Sequence, residues 1–192
     1  TRGKAPYFRE VLRQELKALF SAKDANGNYV LAKPDGTPYN IYNDGLKVYV
    51  TLDSKLQEYA EFAVNEHLSK ELQEDFFRDL RKNKNPPFSN DLTKEQGERI
   101  IDRAMRLTDR YRNYKARNLS SDSIEYFFNT PVEMKVFSYA GEIDTVMSPR
   151  DSIRYHKSFL QAGLMSMDPK TGEVKAWVGG INHRYFAYDH VK

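Results

Sequence analysis

The sequence predicts an α+β fold in which amphipathic helices accompany short antiparallel strands and hairpins. Three observations carry this reading. Apolar residues recur at helical spacing near the start of the chain, from 54 to about 80, and from 93 to about 118. Alternating apolar runs at 134–139, 143–147, 162–167 and 174–178 are joined in pairs by turns containing glycine or proline. Strand runs and helix runs lie apart rather than alternating, which argues against a parallel α/β sheet.

The elements follow in order. Pro6 suits a first helical turn, and Phe8, Val11, Leu12, Leu16, Leu19 and Phe20 form one apolar stripe that residues 24–27 break. Residues 29–32 and 39–42 around the Pro34-Asp35-Gly36 turn read as a small hairpin. The Asn43-Asp44-Gly45 turn leads to a strand at 46–52. Asp53 or Ser54 caps a long helix, Ser54 and Gln57 having capping-box spacing. Its stripe is Leu56, Ala60, Ala63, Val64, His67, Leu68, Leu72 and Phe76. A loop with Pro86-Pro87 precedes a helix that starts near Thr93 and runs to about Asn118. A helical turn at 121–128 stops before Pro131, and a hairpin follows. Ser148-Pro149-Arg150-Asp151 has the residues of a helix start. The last hairpin turns at 168–172 and closes on Gly179-Gly180.

Composition bounds the function. The chain has 192 residues, 40% hydrophobic and 30% charged, a globular balance with room for one domain or two small ones. No apolar run approaches the roughly 18 residues of a membrane span. The absence of cysteine excludes disulfides, thiolate metal sites and a cysteine nucleophile. Thirty basic and 27 acidic residues give a net charge of +3, too balanced to argue for nucleic acid.

Candidate chemistry is thin. Arg99, Arg103, Arg106, Arg110, Tyr111, Arg112, Tyr114, Lys115 and Arg117 form a basic-aromatic stretch, but Glu98, Asp102 and Asp109 interrupt it. It reads as a solvated helix face before an anionic-ligand site. The histidines at 67, 156, 183 and 190 lack metal-ligand spacing, and His67 falls on an apolar stripe as a core residue would. Glu74-Asp75 is a carboxylate pair, yet glycosidase chemistry depends on separation in space. Lys170-Thr171-Gly172 matches one signature of penicillin-recognising serine enzymes, whose others are Ser-x-x-Lys and Ser-x-Asn. No serine here has a lysine three residues on or an asparagine two residues on. With Asp168-Pro169 before it, the triplet reads as a β-turn. Catalytic, cofactor-binding and metal residues are all expected to be absent.

A family resemblance starts at that turn. Residues 161–180, with Asp168-Pro169-Lys170-Thr171-Gly172-Glu173-Val174-Lys175-Ala176 and Gly179-Gly180, resemble the opening hairpin of the penicillin-binding transpeptidase domain. Phe186, Tyr188, Asp189, His190 and Val191 resemble the stretch before its nucleophile helix. Residues 45–53 with Leu56, Gln57, Ala60 and Glu61 are similar to the strand and helix by which class A members enter that domain. Ala5-Pro6-Tyr7-Phe8 with Val11 and Leu16 resembles the helix leaving their glycosyltransferase domain.

The resemblance implies a non-catalytic piece of a class A penicillin-binding protein. Residues 1–45 would be the linker helix and hairpin after the glycosyltransferase. Residues 46–69 and 160–192 would be the N-terminal part of the transpeptidase, an incomplete sheet, and 70–159 an inserted helical segment with a small β element. The parent would be membrane-anchored and would polymerise and cross-link peptidoglycan in cell wall biogenesis, on the periplasmic face of the cytoplasmic membrane. The segment would stop before the family's Ser-x-x-Lys and start after the catalytic glutamates. Expected partners are the rest of its own polypeptide, with peptidoglycan or cell-wall regulatory proteins as alternatives, and no nucleic acid. Residues 46–52 are expected in one unit with the last hairpin, Ala60, Ala63 and Val64 covering the sheet. An unpaired sheet edge is expected either to drive self-association or to lie under residues 185–191.

Overall fold

The computed structural model describes residues 3–192. Its helices are α1 (Pro6–Ser21), α2 (Ser54–His67), a π turn at Leu68–Leu72, α3 (Gln73–Leu80), α4 (Lys94–Arg106), α5 (Asp109–Ala116), α6 (Ser121–Asn129) and α7 (Pro149–Lys157). Its strands are β1 (Val132–Val136), β2 (Ile143–Met147), β3 (Leu164–Met167) and β4 (Val174–Val178). β1 pairs with β2 and β3 with β4, both antiparallel, so the fold is α+β. The chain divides into two compact units, one comprising residues up to 64 together with 161–192, the other Asn65–Leu160.

In the discontinuous unit, Pro6 starts α1 because a first-turn proline forfeits no helical hydrogen bond. Tyr7 and Phe20 are buried, while Leu19 is half exposed. The hairpin expected at 29–42 does not form. Bridges Lys23↔Tyr29 and Ala32↔Pro38 instead close two tight turns. Asp24 and Asp35 accept backbone N–H groups from Asn26 and Thr37, holding the chain in turns too short for a ladder.

The expected strand at 46–52 is also not a strand, although these residues fall in the same unit as β3 and β4. Thr51 reaches β4 through its side chain, Oγ1 donating to the carbonyl of Val174 at 2.8 Å. Asp53 follows with a backbone bond to Lys175 O at 2.9 Å. Asp53 also caps α2, its Oδ1 accepting the N–H groups of Lys55 and Leu56 at 2.8 and 2.9 Å. Ser54 is therefore the first helical residue. The apolar core here joins Ala60 and Val64 to Leu164, Ala176 and Val178. Ala63 and Leu56 face outward, and Gln57 takes the inward position instead.

The continuous unit is built on local caps. Thr93 Oγ1 accepts the N–H of Gln96, and the Gln96 side chain returns to Thr93 N, a complete capping box. The helix expected from 93 to 118 is broken in two, because Thr108 Oγ1 accepts Tyr111 N–H and starts α5. Ser120 and Ser148 cap α6 and α7 in the same way. Met105, Ile124 and Phe128 form the core, with Tyr111, Tyr114, Leu119 and Ile153 packed against it. A second aromatic group joins Phe77, Phe137, Tyr139, Tyr155 and Phe159. Gln73 is fully buried between helix and loop, exchanging bonds of 2.9 Å with Ser158 O and Leu160 N.

Candidate functional site

The most built polar arrangement in the discontinuous unit runs along the outer edge of β4. A strand edge presents N–H and C=O groups that must find partners or attract another chain. Gln57, 1% exposed, supplies both at Trp177. Its Oε1 accepts the Trp177 N–H at 2.7 Å and its Nε2 donates to the Trp177 carbonyl at 2.9 Å. One amide side chain thus does the work of a residue in a neighbouring strand. The same Nε2 donates to Glu61 at 2.8 Å, and Glu61 accepts the N–H of Ala5, tying α2 to the start of α1.

Beyond Trp177 the edge is covered by His190, whose N–H donates to Gly179 O at 2.8 Å. Asp189 accepts the Trp177 indole N–H at 2.9 Å. Residues 51–57 supply most of this cover, with His190 completing it. Gly179 and Gly180 are required by crowding. A Cβ on Gly180 would stand 2.5 Å from Tyr7 Oη, and one on Gly179 would stand 2.4 Å from Asp189 Oδ1. Burial pushes the Tyr7 phenol up to about 12, and its hydroxyl donates to Phe186 O at 2.6 Å. β3 has β4 as its sole strand neighbour among the described residues, and its Met165 and Met167 are exposed.

A cavity of about 200 Å³ beside Tyr7 is lined by Glu10, His183 and Asp189 among others. Its carboxylates are already engaged. Arg13 and Gln14 hold Glu10 down to about 2, and Asp189 accepts Trp177 Nε1–H and Val191 N–H. Glycosidase chemistry needs one carboxyl kept protonated near neutral pH, and Glu10 is held fully ionised. Glu74 and Asp75 are exposed on α3, with Asp75 paired to Arg78 at 2.8 Å. A second cleft of about 230 Å³ lies between Phe20, Tyr29, Tyr39 and Tyr42.

The histidines are dispersed. His67 is not a core residue: its side chain is 60% exposed and pairs with Glu71 at 2.8 Å. His183 lies edge-on to Tyr7 and His190 to Tyr188. Among the described residues no three His, Asp or Glu side chains are grouped to hold a metal. Lys170-Thr171-Gly172 is an exposed turn, organised by Asp168 Oδ1, which accepts Lys170 N–H and Thr171 N–H at 2.8 and 3.1 Å. Gly172 adopts φ 74°, which favours glycine.

His156 is a half-buried histidine of the continuous unit. Its Nδ1–H donates to Ser152 O at 2.7 Å, leaving Nε2 to face the N–H of Phe137 at 3.4 Å. Burial lowers its pKa below the ordinary value of 6.5. The unfolded chain then binds this proton more readily than the folded one. The His156 contribution is fully present above about pH 6.5 and is lost as pH falls through that value toward the lower folded pKa. Urea midpoints at pH 7.5 and 5.5 are expected to differ in that direction, with a smaller difference in His156→Gln. An equal difference in the variant would refute the assignment.

Sequence reasoning named Gln57 and Asp189 but missed their bonds to Trp177, and it missed the ion pairs of α4 with α7. Arg150 donates to Glu98 and Asp102 at 2.8 and 2.7 Å, and Arg154 also pairs with Glu98. Burial works against the charge on Arg150, but the two carboxylates outweigh it and raise its pKa. The Arg150 and Arg154 bonds hold the Glu98 carboxyl low.

Residues 83–160, which include α4–α7 and the β1–β2 hairpin, match the family model of the penicillin-binding protein middle domain. That similarity supports a penicillin-binding protein, and hence a cell-envelope protein. Comparisons with curated proteins and with solved structures gave no match. Among the described residues no helix is long and apolar enough to cross a membrane.

Proposed function

We propose that this chain is a non-catalytic segment of a class A penicillin-binding protein, linking and orienting its glycosyltransferase and transpeptidase centres. The parent would polymerise and cross-link peptidoglycan outside the cytoplasmic membrane. The observation that carries this is order along the chain. The middle-domain match ends at 160, and the transpeptidase-like hairpin with its Asp168-Pro169-Lys170-Thr171-Gly172 turn follows directly. Residues 46–69 and 160–192 then belong to the transpeptidase part, 1–45 to the linker and 70–159 to the insertion. The outer side of β3 is the edge through which self-association would run.

Incubation with a fluorescent penicillin and a denaturing gel is expected to leave the chain unlabelled, since an activated serine needs its neighbouring lysine. A labelled band lost on replacing one serine would overturn the non-catalytic assignment. A second reading, a binding module for peptidoglycan or a regulatory protein, draws on the separate core of Met105, Ile124 and Phe128. Saturable retention of the chain on purified sacculi would favour it, and background retention would favour the linker.

A further inference from the structure

The carboxylates that interrupt the basic stretch each have an arginine partner. Glu98 and Asp102 flank the buried row Gly97, Ile101 and Met105 of α4 and turn to Arg150 and Arg154. Asp109 pairs with Arg112 at 2.6 Å. Arg99, Arg103 and Arg106 lie at i, i+4 and i+7, on the side of α4 opposite that buried row. All three are exposed, as is Arg110 at the start of α5, and among the described residues none of the four has an ion pair. Glu95, at the first turn, is the carboxylate that shares the N-terminal end of this face. Leu107, 69% exposed, follows directly on Arg106.

We propose that this face of α4 docks on an anionic phospholipid surface. The charges are guanidinium groups, whose planar forks match phosphate oxygens two at a time. They stand in a row along a convex helix face. Arg99, Arg103 and Arg106 line none of the clefts described, and Arg110 alone borders one, so the row suits an extended partner. The exposed leucine at the end of the row supplies an apolar contact at the headgroup boundary, where basic residues and apolar side chains act together. A soluble polyanion would use the same charges but would leave Leu107 without a role.

The test is co-sedimentation of the full chain with vesicles of phosphatidylcholine containing about a third phosphatidylglycerol, in 50 mM salt. Binding is expected, and it is expected to disappear in 0.5 M salt, where screening is much shorter. Arg99→Gln/Arg103→Gln/Arg106→Gln is expected to weaken binding on the order of a hundredfold, about fivefold per arginine. Leu107→Ser is expected to weaken it while leaving the salt dependence intact. A matched triple, Lys47→Gln/Lys55→Gln/Lys170→Gln, removes the same charge elsewhere and is expected to have little effect. Circular dichroism checks that each variant is folded. Equal loss in both triples, no binding at 50 mM salt, or retention only by single-stranded DNA or polyphosphate in place of vesicles would each overturn the proposal.

Discussion

Replacing Gln57 with leucine is expected to destabilise the β3–β4 unit by about 2–6 kcal/mol, since two backbone groups of Trp177 lose their partner and each costs about 1–3 kcal/mol when left buried. Leucine keeps the volume of the side chain, so packing of α2 against β4 changes little and the polar loss is isolated. The Glu61 carboxylate loses a donor at the same time, which loosens its hold on Ala5 N–H. Trp177 is the sole tryptophan of the chain, so its fluorescence reports on this edge during urea unfolding. Gln57→Glu retains an acceptor for Trp177 N–H but sets a buried carboxylate against the Trp177 carbonyl and Glu61, and is expected to destabilise at neutral pH at least as much as leucine. A Gln57→Leu midpoint within error of the parent would show that water or another group takes over the edge.

Phe128→Ala is expected to cost the continuous unit about 3–5 kcal/mol, the range for emptying a buried aromatic position. Phe128 is 1% exposed, and its ring meets Tyr111 and Tyr114 at centroid distances of 6.5 and 6.3 Å. It also lines a cleft of about 160 Å³ with Met134 and Ile153, so truncation enlarges an existing gap rather than letting the core collapse around it. Helical circular dichroism during urea unfolding reads this loss. Phe127, 40% exposed on the same helix, is the control, and Phe127→Ala is expected to cost much less. Equal effects at the two positions would mean that α6 is not held by its inward face.

The features legible in the sequence are those whose partners lie within a few residues. Thr93 and Ser148 were readable as helix starts because a capping oxygen bonds an N–H three positions on. Asp168 and Gly172 were readable as a turn for the same reason. Thr108 was equally local, but an unbroken apolar stripe concealed it, and one helix was expected where two form. The π turn at 68–72 left no such mark.

What only tertiary structure decided lies at long range. The α2 stripe held Leu56, Ala60, Ala63 and Val64, of which Ala60 and Val64 do pack on β4, but β4 took Gln57 inward in place of Leu56 and Ala63. A strand edge in need of hydrogen bonds favours an amide over an alkyl group, and Gln57 and Trp177 are 120 residues apart. Arg150 likewise meets Glu98 and Asp102 across 52 and 48 residues, which turned a stretch of mixed charge into a helix whose carboxylates pair on one side while its arginines stand on another. Sequence alone determined the α+β class, the helix starts at Thr93 and Ser148 and the 168–172 turn, because those interactions close within one or two turns of backbone. The packing of distant segments decided which faces are buried and which charges remain unpaired, since burial and charge pairing depend on groups far apart in the chain.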